Sequence, residues 1–500
     1  MWEDIMNQTT FEQVQEIAAS GDYKLIPVKR EILADLRTPV ETLRALQNVS
    51  DHCFLLESVE DNRQWGRYSF LGYAPTMELT CRNHMLTIGA GGRIRMQTDH
   101  PGDYIRQLVK DNRAPQLPDM PSFTGGLVGY FSYEYMQYGE PSLHFSSRDE
   151  NDFQDMDLML FEHLIAYDNL RQKIILIANV HTDSLETSYH SAVLKLDEME
   201  QLIRKGKAKN VQPGRMTGEM KTLFSKEEYC RKVEQVRHYI HEGDIFQLVL
   251  SNPMEAPFEG SLLDTYRVLR TTNPSPYMFY FSGEIEIAGA SPETLVKVEN
   301  RRIRTFPLAG TRPRGQNDAE DQALEKELLS DEKERAEHNM LVDLGRNDLG
   351  KLCEFGSVEV EKYMAVERYS HVMHIGSAIR GTLQERYSAV DAVDSVLPAG
   401  TLSGAPKIRA CQLIDQLEDN KRGIYGGAIG YVDFTGNLDT CIAIRLAFKK
   451  GGKVFVRSGA GIVADSIPEN EYQECINKAK AVVQALQKAQ EMGSDKEVEK

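Results

Sequence analysis

The seven cysteines, at positions 53, 81, 230, 353, 411, 441 and 475, are scattered, odd in number and form no CxxC pair. That excludes a zinc ribbon and points to a reducing compartment. No apolar run approaches the roughly 20 residues of a transmembrane helix. The opening MWEDIMNQTT lacks the basic-then-apolar pattern of a signal peptide. A cytoplasmic protein with no membrane partner is expected. Positive charge is in deficit, with 58 Lys and Arg against 75 Asp and Glu, a formal net charge of −17. Such a surface opposes nonspecific binding to nucleic acid or anionic lipid, while local basic sites can still take small anions. Internal repeats are also lacking. What remains is an ordinary globular composition, 41% hydrophobic and 27% charged, with enough apolar residues over 500 positions for a sizeable core.

Strand patterns fill 66–98, with the glycines of GAGGR as a turn, and recur in GGLVGYFSYEY (125–135). LMLFEHLIAYD and KIILIANVHT (158–182) read as a hairpin, followed by a helical stretch from Ser184. The polar KGKAKNVQPGRMTGEMK (205–221) is the best linker, separating region 1–221 from region 222–487. After it, Ser225 and Glu228 form a capping box and Gly243 a helix stop. The strand IFQLVLS follows, and strands then alternate with helices. The charged end, QKAQEMGSDKEVEK, predicts a disordered tail over 488–500.

Two glycine motifs are decoys. GRNDLGKL (345–352) has phosphate-loop spacing, but Leu352 replaces the magnesium-binding hydroxyl, Asp348 would repel phosphate, and a helical pattern precedes it. GAGIVA (459–464) follows a strand, but Asp465 and Pro468 interrupt the helix a dinucleotide site needs. Its backbone N–H groups remain suited to an anion such as a carboxylate.

The helix SDEKERAEHNMLVDL (330–344) carries Glu334 and Glu337 three apart on one face, and ENEYQECINKAKAVVQAL (469–486) repeats the theme with Glu471, Glu474 and Lys478. Two such helices can clamp a hard cation such as magnesium through carboxylate oxygens; equally, both faces can be plain solvated acidic surface. Arg445 lies in the apolar strand TCIAIRLAF and needs a carboxylate partner, from the protein or from a substrate. His374 stands beside apolar residues in RYSHVMHIGS, where a structural histidine is the common case. GTLSGAPK (400–407) by itself is a loop.

FPLAGTRPRG (306–315), DEKERAEHNMLVDLGRNDLG, RYSHVMH, GTLSGAPK, YGGAIGYVDFTGNLDTCIAIR and GAGIVADSIPENEYQE occur in this order between Phe306 and Glu474. Each block is modest, but the ordered set resembles the chorismate-utilising enzymes. With the first half included, the resemblance covers nearly the whole chain. It implies an α+β fold of two packed antiparallel β-sheets wrapped by helices, with strands from both halves, so that the boundary near 222 is one of sequence rather than of space. The region 1–221 would carry effector-binding elements and 222–487 the chorismate-binding catalytic domain.

Residue by residue, the resemblance implies Mg2+ bound directly by Glu337 and Glu474, with Glu334 and Glu471 behind them through water. Tyr425, Arg445 and the backbone of Gly459, Ala460 and Gly461 would take the enolpyruvyl carboxylate. Gly310 and Thr311 would also contact substrate, His374 and Thr401 would lie near the ring, and Lys478 would complete the acidic face. Two positions favour the anthranilate synthase large subunits within the family. Ala309 stands where aminodeoxychorismate synthases resemble one another in a nucleophilic lysine, and Gln247 where isochorismate synthases carry a water-activating lysine. FLLES (54–58) and NPSPYMFY (273–280) resemble elements that bind L-tryptophan as feedback inhibitor, through Glu57, Ser58, Pro276, Tyr277 and Met278.

None of the cysteines lies in the G-x-C-x-G setting of a glutaminase. The implied partner is therefore a glutamine amidotransferase subunit, component II, in a heterotetramer. The expected reaction converts chorismate and ammonia, through aminodeoxyisochorismate, to anthranilate and pyruvate in tryptophan biosynthesis. The alternatives are an aminodeoxychorismate synthase, or a non-catalytic regulatory paralogue.

Overall fold

The computed structural model describes residues 8–58, 66–369 and 372–498. The opening MWEDIMN, Ser370 and His371 of the RYSHVMH block, and Glu499 and Lys500 lie outside the described residues. Hydrophobic strands with short turns dominate the described chain, and they assemble into two large antiparallel sheets. In one, the strands Cys53–Glu57 and Tyr277–Ser282 are direct neighbours, so the two halves of the sequence join edge to edge. In the other, Gly126–Phe131 pairs with Ala428–Asp433 in the same way. The boundary near 222 therefore divides the sequence and not the sheets, in agreement with the α+β expectation.

An aromatic-rich core, including Phe54, Phe161, Phe279 and Ile429, lies between the two sheets. Helices Phe11–Ser20, Pro39–Leu46, Leu185–Lys205 and Leu263–Thr272 cover the outer face of the first sheet. Helices Pro101–Asp111, Glu332–Gly350 and Ala389–Val396 cover that of the second. Burial on both faces explains why strands such as Lys173–His181 read as unbroken apolar runs rather than alternating ones. Among the described residues no helix is long and apolar enough to cross a membrane.

Several sequence expectations hold locally. Thr222 ends a short strand, and Ser225 caps helix Lys226–His241 with a reciprocal box through Glu228. Gly243 follows at φ +84°, a left-handed stop favouring glycine. GRNDLGKL falls mostly inside helix Glu332–Gly350, so no phosphate loop forms. GAGIVA spans the end of strand Lys453–Ile462 and no helix opens on it.

Three expectations need correction. The run LMLFEHLIAYD is not one arm of a hairpin. It breaks at Glu162 into Met156–Phe161 in the second sheet and His163–Asp168 in the first, and only the latter pairs with Lys173–His181. TCIAIRLAF is likewise not one strand. Leu438–Ile442 ends in one sheet, Leu446–Lys450 begins in the other, and Arg445 sits in the crossing at φ +53°. Both runs are largely apolar on either side of the break because both sheets are buried there, so hydrophobicity hides it. The third correction is the tail. Helix Pro468–Val498 continues past 488, with Ala489 buried in the core and Gln490 Oε1 accepting from the Met216 backbone N–H at 3.2 Å. Lys488 and Glu491, exposed beside the buried Ala489, mark the solvent face of this turn of the helix.

A candidate active site between two carboxylate helices

The strand Leu308–Pro313, helix Glu332–Gly350 and helix Pro468–Val498 meet at one cavity of about 630 Å³, a volume suited to a small organic ligand. Of the residues expected at the substrate and metal sites, all but Ala460 line it. Strand alternation explains the exception. Gly459 and Gly461 face the cavity, and Ala460 points the other way into a core with Ile462 and Cys475.

Each acidic pair is positioned by its helix. Asp331 caps Glu332–Gly350, its carboxylate accepting from the backbone N–H of Lys333 at 3.1 Å and Glu334 at 3.2 Å. That register turns Glu334 and Glu337 onto the cavity. Arg312 donates to Asp331 at 2.9 Å and to Glu334 at 3.4 Å. Gly310 stands at φ +67°, where an added Cβ would meet Glu334 Oε2 at 3.2 Å, so both backbone and space require glycine.

From the opposite helix, Glu474 pairs with Lys478 at 2.7 Å. Burial raises the Glu337 carboxyl above its usual range, and neighbouring Glu334 raises it further. Burial does the same at Glu471, with Glu474 adding to it. Among the described residues no three metal-binding side chains gather in coordinating geometry. The donor set nevertheless fits a hard divalent cation: all oxygen, supplied by two facing helices, and crowded enough within each pair that like charges raise a neighbour's pKa.

A further cation reaches the cavity from the crossing between the two sheets. Arg445 is half-buried, and among the described residues its guanidinium makes one hydrogen bond, from Nη1 to the Lys478 carbonyl at 3.1 Å. Among the described residues no carboxylate pairs with it, and burial lowers its pKa. Tyr425 also lines the cavity, with burial pushing its hydroxyl pKa up.

His374 Nδ1 is 2.7 Å from the Gly310 carbonyl and 3.1 Å from Thr311 Oγ1. A carbonyl can only accept, so Nδ1 carries the hydrogen and Nε2 keeps its lone pair. Burial lowers the His374 pKa, which favours the neutral ring.

One residue was missed by sequence reasoning. Glu293 lines the cavity, and burial pushes its carboxyl up to about 8. Thr401 Oγ1 donates to it at 3.2 Å. SPETLV offers no periodic or paired-acid signal that could have found it. Lys333 and Asn477 also line the cavity without having been singled out.

Residues 11–484 match the family of chorismate binding enzymes. The chain belongs to that family. It is 44% identical over 493 residues to anthranilate synthase component 1 of Acetivibrio thermocellus, covering 97% of this chain and 99% of that one. Against the protein of the same description from Aquifex aeolicus it is 42% identical over 488 residues, covering 96% and 98%. The crystal structure of anthranilate synthase component I from Streptococcus pneumoniae superposes with a TM-score of 0.75 at 36% identity, covering 90% of this chain and 98% of that chain. As a member of this family the chain is a chorismate-utilising enzyme. Ala309 and Gln247, the positions that separate the family's reactions by resemblance, both line the cavity.

A second cavity, of about 360 Å³, lies between the sheets at the junction of the two sequence halves. Glu57, Ser58, Pro276, Tyr277 and Met278 all line it, with Tyr68, Phe70 and Tyr431. Ser58 Oγ is buried with no hydrogen-bond partner among the described residues. The Glu57 carboxylate is already engaged, accepting from Tyr266 at 2.6 Å and Arg270 at 3.1 Å.

Proposed function

We propose that the enzyme is the synthase subunit of an anthranilate synthase, converting chorismate and ammonia to anthranilate and pyruvate through aminodeoxyisochorismate. The observation that carries this is one cavity lined by four carboxylates from two facing helices and by Arg445, which pairs with no carboxylate among the described residues, together with neutral Ala309 and Gln247. Chorismate is a dianion and needs two separated anion sites. Arg445, Tyr425 and the backbone at Gly459 and Gly461 take the enolpyruvyl carboxylate. Magnesium held by Glu337 and Glu474, backed by Glu334 and Glu471, would anchor the ring carboxylate and supply a Lewis acid for departure of the C4 hydroxyl.

The chain's own groups handle the protons. Glu293 is protonated at neutral pH and donates to the leaving C4 oxygen, which departs as water. Ala309 has no amine to form a covalent adduct, so ammonia attacks C2 directly. His374 Nε2, left basic by the Nδ1–H bond to Gly310, takes the C2 proton as the C3–O bond breaks, and the proton is returned to the departing enolpyruvate, which becomes pyruvate.

The ammonia comes from a glutamine-hydrolysing partner subunit. Tryptophan binds in the 360 Å³ cavity, its indole against Pro276, Tyr277 and Met278 and a polar group on Ser58. It inhibits by favouring the state that binds chorismate poorly. The test is product identity. Purified chain with chorismate, magnesium and an ammonium salt should yield fluorescent anthranilate and pyruvate, and none with glutamine alone. Aminodeoxychorismate as the end product, or no turnover, overturns the reading.

A further inference from the structure

Glu293, the proton donor of the reaction above, stands where the chain leaves one sheet for the other. Strand Glu286–Ser291 belongs to the first sheet and pairs with Tyr277–Ser282. Strand Thr294–Glu299 belongs to the second and pairs with Leu438–Ile442. Pro292 and Glu293 span the gap between them. The Glu293 carbonyl accepts from the Ile442 N–H at 2.9 Å, and the two strand ends set where its side chain goes.

Tyr277 holds both of those ends. Its backbone is the register partner of Ser291, two residues before Glu293. Its hydroxyl lies 3.0 Å from Thr294 Oγ1, one residue after Glu293, and donates to Asp439 Oδ1 at 2.8 Å. The single hydroxyl hydrogen of Tyr277 is spent on the carboxylate, so Thr294 donates to the tyrosine oxygen. Asp439 is itself anchored, with Lys297 Nζ 3.4 Å from its other oxygen. The pairing of Thr294–Glu299 shifts register between Thr294 and Val296. An irregularity of that kind lets the strand end move without unzipping the ladder beyond it. Tyr277 lines the second cavity, whereas Thr294 stands outside both that cavity and the active one.

We propose that the Tyr277 hydroxyl, through Thr294, positions Glu293, and that this contact carries the occupancy of the second cavity to the active one. The coupling rests on the tryptophan reading above and names the contact through which that ligand acts. With the chain Thr294–Tyr277–Asp439 intact, the crossing is fixed and Glu293 accepts from Thr401 at 3.2 Å in the active cavity. An indole packed against Tyr277 displaces its ring and draws the hydroxyl away from Thr294. Glu293, one peptide bond from Thr294, moves with it and no longer meets the C4 oxygen of chorismate. The state that tryptophan favours therefore holds chorismate less well. The two arrangements differ by discrete hydrogen bonds, and a ligand that fits one of them better shifts the balance between them.

The test removes the contact without touching either ligand. Thr294→Val deletes the hydroxyl and keeps the branched shape, and Tyr277→Phe deletes its partner and keeps the ring. In both, kcat/KM for chorismate with an ammonium salt and no tryptophan should fall roughly three- to ten-fold, the reach of one hydrogen bond. The factor by which saturating tryptophan lowers kcat/KM further should shrink by a similar amount. Tryptophan, titrated by calorimetry, should bind at least as tightly as to the unaltered chain, because the contact it must break is already gone. Retained binding also certifies the fold. Thr294→Ser, which keeps the hydroxyl, should match the unaltered chain in all three measurements. Undiminished inhibition of both variants, weakened tryptophan binding in both, or a Thr294→Ser variant that behaves like Thr294→Val would overturn the proposal and leave Tyr277 and Thr294 as packing. Failure of the tryptophan reading is distinct, because the unaltered chain would then bind no tryptophan, and the coupling would fall with it before any variant is compared.

Discussion

Two arginine sites in the fold are treated oppositely, the buried pair Arg422 and Arg457 and the half-buried Arg445. Arg422 and Arg457 share the carboxylate of Glu418, with contacts of 2.7 Å from each. Ser251 adds its N–H at 2.8 Å and its hydroxyl at 2.9 Å. Burial alone would push the Glu418 carboxyl up, but the two guanidinium groups hold it below its usual range. Arg445 has a carbonyl and, among the described residues, no carboxylate. The first group is complete without a ligand and holds the helix Lys407–Glu418 to strands Gln247–Glu259 and Lys453–Ile462. The second is incomplete until an anion arrives. A buried charge costs stability when unpaired, so the fold tolerates one where a substrate completes it.

The comparison breaks most visibly by deleting one charge from each group. Glu418→Gln strands two buried guanidinium groups and should cost about 3–5 kcal/mol, read as a large fall in the unfolding midpoint. Arg445→Met should leave the midpoint nearly unchanged or raise it, while lowering kcat/KM for chorismate by about 10²–10³-fold, the scale of a lost buried charge contact. Equal destabilisation by both variants would make Arg445 structural. Among the four carboxylates, Glu474→Gln keeps the shape, removes a charged ligand and frees Lys478. Magnesium-dependent turnover should be lost with the fold retained, and full turnover at the same magnesium concentration would remove Glu474 from the metal site.

His374→Met sharpens the assignment of steps. It should still consume chorismate but accumulate the amino intermediate, slowing anthranilate release by about 10²–10⁴-fold, the usual reach of a positioned general base. Loss of both steps equally would make His374 a positioning residue. In the second cavity, Ser58→Phe fills the space opposite Met278 and should relieve tryptophan inhibition with catalysis largely intact, checked by inhibition curves on both proteins. No binding of tryptophan to the unaltered chain would reduce that cavity to packing.

The smallest effect concerns pH. The folded-state pKa of Glu293, about 8, exceeds its ordinary 4.5. Its neutral form therefore contributes stability that is fully present below about 4.5 and is lost as pH rises through about 8. Glu293→Gln cannot ionise, so its unfolding midpoint relative to the unaltered chain should climb across that window. A gap independent of pH would show that Glu293 ionises freely in the cavity.

Much of this was legible in the residues. The capping box at Ser225 and Glu228, the helix faces bearing Glu334 with Glu337 and Glu471 with Glu474, and the strands of 66–98 follow from spacing of 3.6 and of 2, which are local properties of the backbone. The ordered motifs carried the family and with it the fold. Other features were hidden because burial on both faces erases periodicity. Glu162 and Arg445 mark points where the chain leaves one sheet for the other, yet the flanking residues are apolar on both sides of each crossing. The charged end from 488 read as a tail because composition cannot show that one face of a helix docks on a distant strand.

By itself, then, the sequence determined which helices and most strands form, that no membrane helix is encoded, and which chemistry the motif blocks can support. The tertiary structure alone decided that helices 332–350 and 468–498 face one another across a cavity, that Ala460 turns away from it, and that Arg445 has no carboxylate partner among the described residues. It alone showed Glu293 beside Thr401. The division has one physical cause. Local conformation depends on neighbours within a few residues, whereas desolvation and charge pairing depend on groups brought together from more than a hundred positions apart, as Glu293 and Thr401 are, and only packing sets those.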